Sequence, residues 1–226
     1  MSVPPSPQSL TAVSQDYLKV IWSAQEWSDR PVTTKALAVR LGVGASTVSE
    51  TVRRLVEAGL VTHEPYGAVG LTPDGRTHAL AMVRRHRLLE TFLVAELGYG
   101  WDEVHDEAEV LEHAVSDGFV ERIAAHLGHP TRDPHGDPIP GPDGSVELPT
   151  ARTLWDAEPG EWIVVRISDA DPELLRYLAA RGLGLDARVS VTRHSVAGVV
   201  SARVGDDVEQ VDLGEGAASA IWVGHP

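Results

Sequence analysis

The 226-residue chain contains no cysteine. Disulfides, thiolate metal sites and a cysteine nucleophile are therefore excluded, and the composition suits a reducing compartment. Also missing is any run of about 18 apolar residues, the length a membrane-crossing helix needs. The opening MSVPPSPQSL has neither a basic region nor an apolar stretch of signal-peptide type, so it reads as a frayed Pro/Ser tail. A soluble, cytoplasmic protein with no membrane partner is expected. Positive charge is scarce, with 19 Lys and Arg against 33 Asp and Glu for a net charge of −14. Such a balance argues against a nucleic-acid partner unless the basic residues are clustered.

They are clustered. Residues 1–76 hold seven basic and seven acidic side chains, whereas residues 77–140 and 141–226 are each −7. Within residues 33–87, eight Lys and Arg face four Asp and Glu. Phosphate contacts are thus possible for the N-terminal region only. With 42% hydrophobic and 23% charged residues the chain is globular, and its length allows one or two domains.

Residues 11–27 carry Val13, Tyr17, Val20, Ile21, Ala24 and Trp27 at helical spacing, with Ser14 as the expected cap and Asp16 near the start. Residues 33–59 read as two short helices around Gly42-Val43-Gly44, a helix-turn-helix ended by Gly59. The second helix turns Val48, Val52, Leu55 and Val56 inward and presents Ser46, Thr47, Ser49, Glu50 and Arg53 outward. Short polar side chains at a helix start reach base edges or phosphates. Thr34 and Lys35, at the start of the first helix, join them as candidate DNA contacts. Two short strands around Pro65-Tyr66-Gly67 complete a winged helix.

A long helix follows to Leu97, with Leu80, Val83, Leu88, Phe92 and Leu93 inward and His86 and Glu90 sharing a face at i, i+4. The next helix is expected over roughly 103–127. On it His105, Glu109, Glu112 and His113 fall on one side, and Val110, Leu111, Val115, Val120 and Ile123 on another. Converging carboxylate oxygens and imidazole nitrogens are what a divalent cation needs, and an oxygen-rich mixture favours a hard ion such as Mn2+. The competing reading is an acidic, solvent-facing helix. Residues 128–152 are rich in Pro and Gly and read as a linker, although His129, Asp133, His135 and Asp137 also suggest a metal site. Residues 153–226 alternate in about five short strands with one helix, PELLRYLAARG, the pattern of a small barrel.

No nucleophile-plus-base constellation appears. A di-metal carboxylate enzyme would ask for Glu-x-x-His on two helices, and here Glu109-x-x-Glu112 occurs once. A regulator sensing an organic ligand would need an apolar pocket where this chain has its His and Glu residues; no organic cofactor is expected.

Taken together, the segments around Gln15–Trp22, ASTVSETVRRLVEAGLV, RRHRLLETFL and VHDEAEVLEHAVSD, followed by a barrel, resemble the diphtheria-toxin-repressor family of metal-dependent transcriptional regulators. The manganese-responsive branch is the nearer resemblance. It implies an α+β chain: a winged helix-turn-helix over 1–76, a helical metal-binding and dimerisation domain over 77–140, a linker over 141–152 and an SH3-like, FeoA-like β-barrel over 153–226. It implies a homodimer on double-stranded operator DNA and two metal sites per subunit, with an ion bridging the first helix to the dimerisation helices. Asp16, Glu109, Glu112 and His113 would be the primary ligands. His86, Glu90 and His105 would form the second site, completed from the barrel by Asp169 and Asp171. Iron-responsive relatives carry Met and Cys where this chain has Asp16 and Glu109, so the resemblance points to Mn2+, with Fe2+ or other divalent metals as alternatives. The two-domain manganese regulators carry Glu where this chain has Lys19, which implies separated sites rather than a binuclear one.

Overall fold

The computed structural model describes residues 10–64, 67–195, 198–205 and 210–226, and they divide into two compact units. The first comprises residues 1–86 and 140–145, the second 87–139 and 146–226. The N-terminal tail and the wing-tip residues Pro65 and Tyr66 lie outside the described residues, as do Asp206 and Asp207 of a turn expected at Gly205-Asp206-Asp207.

In the first unit, helix α1 (Ala12–Glu26) buries Tyr17, Leu18, Ile21 and Trp22. Its cap is Thr11, whose Oγ1 accepts from the Ser14 amide at 3.3 Å, so the helix starts one turn earlier than Ser14 alone suggested. That places Val13 outward, 54% exposed, instead of in the core. Helix α2 (Thr34–Arg40) is capped by Thr33, and α3 (Ala45–Glu57) follows the Gly42 turn, where φ is +64°. A positive φ here is a conformation only glycine adopts without strain. At the other end of α3 the Leu60 amide reaches back to the Leu55 carbonyl and that of Gly59 to Val56, a helix-ending pattern that closes two orphan carbonyls. Val48, Val52 and Leu55 are buried as expected, whereas Val56 is 39% exposed. Strands β1 (Val61–His63) and β2 (Val69–Leu71) pair antiparallel, Thr62 opposite Gly70. Thr72 then starts the long helix α4 (Pro73–Leu97), its hydroxyl accepting from the Gly75 amide. A Cβ at Gly75 would stand 1.8 Å from the Leu60 carbonyl oxygen, so glycine alone allows α4 to start this close to the wing.

The second unit begins in the same helix. Leu88, Leu89 and Leu93 of α4 pack with Val104 and Ala108 of α5 (Val104–Leu111), with Val120, Ile123 and Ala124 of α6 (Asp117–His126), and with Ile139. Each fully buried aliphatic side chain contributes about 1.5–3 kcal/mol. The single helix expected over 103–127 is two. Its interruption at residues 112–116 is set by Ser116, which caps α6 by accepting from the Phe119 amide at 3.2 Å. Val110 lies off the α5 face that packs Val104 and Ala108 and is 70% exposed, outside the stripe in which it was expected.

The segment expected as a linker is instead ordered and largely buried from Asp133 to Pro140. Beyond it, β3 (Arg152–Thr153), β4 (Gly160–Ile167), β5 (Arg188–Ser195), β6 (Val199–Val204), β7 (Gln210–Gly214) and β8 (Ile221–Gly224) form one antiparallel sheet in the order β3-β8-β4-β5-β6-β7. Helix α7 (Pro172–Ala179), the short α8 (Glu215–Ser219) and a 3-10 turn at Leu154–Asp156 cover it, with Leu154, Leu175, Leu178 and Leu213 in its core. No described helix is long and apolar enough to cross a membrane.

Candidate metal centre and nucleic-acid interface

Helix α3 presents its start to solvent because Val48 and Val52, one turn apart, hold the opposite face inside. Ser46, Thr47, Ser49 and Arg53 are exposed and Glu50 is half-buried; Lys35 is exposed on α2 and Thr34 partly so. Three of these side chains are already engaged. Ser49 Oγ donates to the Ala45 carbonyl at 2.9 Å, and Arg53 lies between Glu50, at 2.8 Å, and Glu57. Arg54 also reaches Glu50, at 3.1 Å, and joins the sequence-derived candidates as an exposed cation on this face. Hydrogen bonding from Arg53 holds the Glu50 carboxyl below its ordinary value against a weaker opposing effect of burial. Glu50 therefore sits beside two guanidinium groups and is not the bare anion its sequence position suggested.

In the second unit His105 occupies the centre of a carboxylate cluster. Its Nδ1 lies 3.3 Å from Glu90 Oε1 and 3.2 Å from Asp169 Oδ2, and its Nε2 3.6 Å from Glu109 Oε1. Helix α4 supplies Glu90, only 1% exposed, α5 supplies His105 and Glu109 one turn apart, and the loop after β4 supplies Asp169. Burial alone would lower the His105 pKa; hydrogen bonds to Asp169 and Glu90 override it and raise it to about 10. Burial likewise opposes ionisation of Asp169, yet the bond to His105 brings its pKa down to about 2. The imidazolium is thus the cation of this cluster.

A pH dependence follows for the metal-free protein. A base whose pKa rises from about 6.5 unfolded to about 10 folded contributes fully below pH 6.5 and loses that contribution as pH rises through 10. Asp169, lowered to about 2, contributes above pH 4 and loses that as pH falls through 2. Urea unfolding of chelator-treated protein is expected to show declining stability from pH 7 to 10, with a shallower decline in His105→Gln. Equal slopes for the two proteins would contradict this account.

Glu112, fully buried, ends α5 with its carboxylate 3.5 Å from His113 Nε2. A buried carboxylate is costly without a cationic or hydrogen-bonding partner. The helix break parts the four residues predicted to share one face: His105 and Glu109 stay on α5, and Glu112 and His113 lie at its end. Asp16 on α1 and His86 on α4 belong to the first unit; Asp16 is half-buried and His86 7% exposed. Asp171, expected to complete the second site, is exposed and caps α7: its Oδ1 accepts from the amides of Glu173, at 2.9 Å, and Leu174, at 3.2 Å.

Sequence reasoning weighed His135 only in passing. It is fully buried, its Nε2 lies 2.7 Å from the Trp101 carbonyl, and one donor atom from each of Glu90, His135 and Asp169 falls within 4.8 Å of the others. The signal available in the sequence was its place between two aspartates, Asp133 and Asp137.

Three family profiles match consecutive parts of the chain. They are "Iron dependent repressor, N-terminal DNA binding domain" at residues 9–69, "Iron dependent repressor, metal binding and dimerisation domain" at 72–141, and "FeoA domain" at 152–225. The chain is 32% identical over 204 residues to the iron-dependent repressor IdeR of Mycobacterium leprae, covering 84% of this chain and 88% of that protein. Among solved structures, a manganese-dependent transcriptional repressor in complex with manganese is 61% identical with a TM-score of 0.90, over 94% of this chain and all of that one. The manganese regulator SloR is 34% identical with a TM-score of 0.80, over 94% and 98%. A DNA-binding helical domain, a metal-binding domain and a FeoA domain in this order, with matches spanning most of both chains, make the protein a metal-dependent transcriptional repressor of the diphtheria-toxin-repressor family.

Proposed function

We propose that the protein is a manganese-dependent repressor that acts in the cytoplasm as a homodimer on a palindromic operator controlling manganese uptake. The observation that carries the metal assignment is the donor chemistry. The chain has no cysteine, and carboxylates stand at Asp16 and Glu109. Oxygen-rich donor sets suit Mn2+, which lies at the weak end of the Irving–Williams order and needs a site tailored to it. The names of two solved relatives, one in complex with manganese and one a manganese regulator, support the same reading.

By the residue correspondences of the family resemblance, Asp16, Glu109, Glu112 and His113 form the primary ligand set. His86, Glu90, His105 and Asp169 form the second. The fit has support in the molecule's own chemistry: Glu90 and Glu112 are buried carboxylates, and each has an imidazole beside it, His105 for Glu90 and His113 for Glu112. A bound divalent cation supplies the charge that cancels repulsion among these carboxylates. His105 must then give up its proton, so metal binding at the second set is weakened by acid.

Leu97 at the end of α4, Val110 on α5 and Phe119 on α6 are exposed apolar side chains within the segment matched by the metal-binding and dimerisation profile, which supports a second copy as partner. A twofold dimer presents two α3 helices to half-sites about one DNA turn apart, roughly 34–36 Å. The deciding experiment selects binding sites from a random duplex pool with the full-length protein and Mn2+. The recovered sequence is then titrated with protein in chelator, Mn2+, Fe2+ or Zn2+. A palindrome bound at least tenfold more tightly with Mn2+ than in chelator is expected; affinity indifferent to Mn2+ sinks the proposal.

A further inference from the structure

We propose that Glu50 selects a C·G pair in each operator half-site by accepting a hydrogen bond from the cytosine amino group. The inference rests on the reading of α3 as the helix that meets the operator, and adds which base it demands and why.

The outer face of α3 holds few groups that can tell bases apart. Ser46 and Thr47 are exposed, but a hydroxyl both donates and accepts and so suits several base edges. Ser49 turns its hydroxyl back on the Ala45 carbonyl at 2.9 Å. Glu50 is the one carboxylate in the first two turns of the helix. A carboxylate only accepts. It matches the cytosine amino group and is repelled by O6 and N7 of guanine and by O4 of thymine. Adenine also offers an amino group, but beside the N7 acceptor, which a carboxylate disfavours.

The carboxylate is held in place before any DNA arrives. Arg53 grips it with a fork, Nε donating to Oε2 at 3.1 Å and Nη2 to Oε1 at 2.8 Å. Arg54 Nε adds a bond to Oε1 at 3.1 Å. Arg53 is fixed from its far side by Glu57, which accepts from Nη1. Glu50, Arg53, Arg54 and Glu57 follow one another at i, i+3, i+4 and i+7, so one ridge of the helix carries all four. Two carboxylate oxygens offer about four acceptor positions, and these N–H groups fill three. The position left is on Oε2, and the Glu50 side chain is 44% exposed, which leaves room for a base edge. A cytosine amino hydrogen can be taken there without releasing either arginine. The same ridge cancels charge: two acidic and two basic side chains give α3 a net charge of zero. Such a helix draws little on the phosphate attraction that every DNA sequence shares. Discrimination by Glu50 then stands against a low background.

The test selects sites from a random duplex pool with the full-length protein in Mn2+ and, in parallel, in Fe2+. The parent is compared with Glu50→Gln, Glu50→Ala and Glu57→Gln. The parent should demand cytosine at one position of each half-site, and replacing that C·G pair should weaken binding at least about fivefold. Glu50→Gln should move the preference to adenine, because a carboxamide pairs with N6 and N7 of adenine together. Glu50→Ala should lose the preference at that position, and keeps the question readable if Glu50→Gln fails to fold. Glu57→Gln removes a charge without touching the acceptor, so it should keep cytosine. Both glutamine variants should bind random duplex more tightly than the parent, the salt slope steepening by roughly 0.9 for each phosphate newly contacted. An unchanged base preference in the two Glu50 variants overturns the proposal, as does a parent site without a fixed C·G pair in each half. If such sites are recovered with Fe2+ and not with Mn2+, the role of Glu50 stands and the manganese-dependent reading fails.

Discussion

Replacing Arg87 with methionine is expected to destabilise the protein by about 3–5 kcal/mol, the cost of removing one partner from a buried ion pair. Arg87 is 7% exposed and lies 3.6 Å from Asp133 and 3.5 Å from Asp137. It also donates to the Pro138 carbonyl at 2.7 Å. Asp137 keeps a second cation, Arg166 at 2.7 Å, whose guanidinium lies over the Trp222 ring. Asp133 keeps the amides of His135 and Asp137 on its Oδ1, and no second cation among the described ion pairs. Burial already pushes the Asp133 carboxyl well above its ordinary range, with Asp137 and Glu90 adding to the rise and Arg87 opposing it. Without Arg87 it rises further. An acid whose folded pKa lies above its unfolded value loses stability as pH climbs between the two. The deficit of Arg87→Met should therefore be larger at pH 8 than at pH 5 in urea unfolding. Arg87→Met with Asp133→Asn should recover part of it, because the uncompensated charge is then gone. A single variant within 1 kcal/mol of the parent at pH 8 would show that the network contributes little.

That network is also where the sequence was least legible. The composition of residues 128–152 correctly excluded a helix, but proline and glycine do not distinguish a flexible connection from a buried one. The difference comes from Arg87 on α4 and Arg166 on β4, whose pairing with Asp133 and Asp137 spans roughly 30–50 residues and leaves no local pattern. Local signals served better. The glycine turn of the helix-turn-helix, the inward Val48 and Val52 and the His86/Glu90 spacing all follow from helical period, and the structure places the first two as read. Two misreadings had local signals that were passed over. Ser116-Asp117-Gly118 is a helix start in the middle of an apparent helix, and Asp171-Pro172-Glu173 is a cap followed by a proline at the first helical position. Asp171 was read for metal chemistry before its backbone role, and the run through Glu112 and His113 was read as one continuous helix face. The grouping of His105 with Glu90 and Asp169, which three separate elements supply, leaves no local pattern, and only the family resemblance brought those residues together before the fold was known.

Glu109→Cys is expected to reverse the metal preference. Glu109 lies on α5, 40% exposed, with its carboxylate 3.6 Å from His105 Nε2, and is assigned here to the primary ligand set. The substitution exchanges a hard oxygen for a soft sulfur while leaving helix α5 its length and its buried face of Val104 and Ala108. Mn2+ loses most by this exchange and Zn2+ gains, because thiolate selects the softer ion. On the selected operator, the Mn2+ concentration for half-maximal binding should rise at least tenfold, a loss of about 1.4 kcal/mol. The Zn2+ or Fe2+ requirement should fall. A thiol ligates only as thiolate, so the gain for Zn2+ should grow from pH 6.5 to 8.5. Glu109→Gln serves as the control that separates charge from donor softness: it keeps an oxygen, and should weaken every metal without changing their order. If Glu109→Cys retains the parent's order of Mn2+, Fe2+ and Zn2+ while Glu109→Gln weakens all three, then Glu109 acts through its charge on His105. Selectivity must in that case come from Asp16, Glu112 and His113.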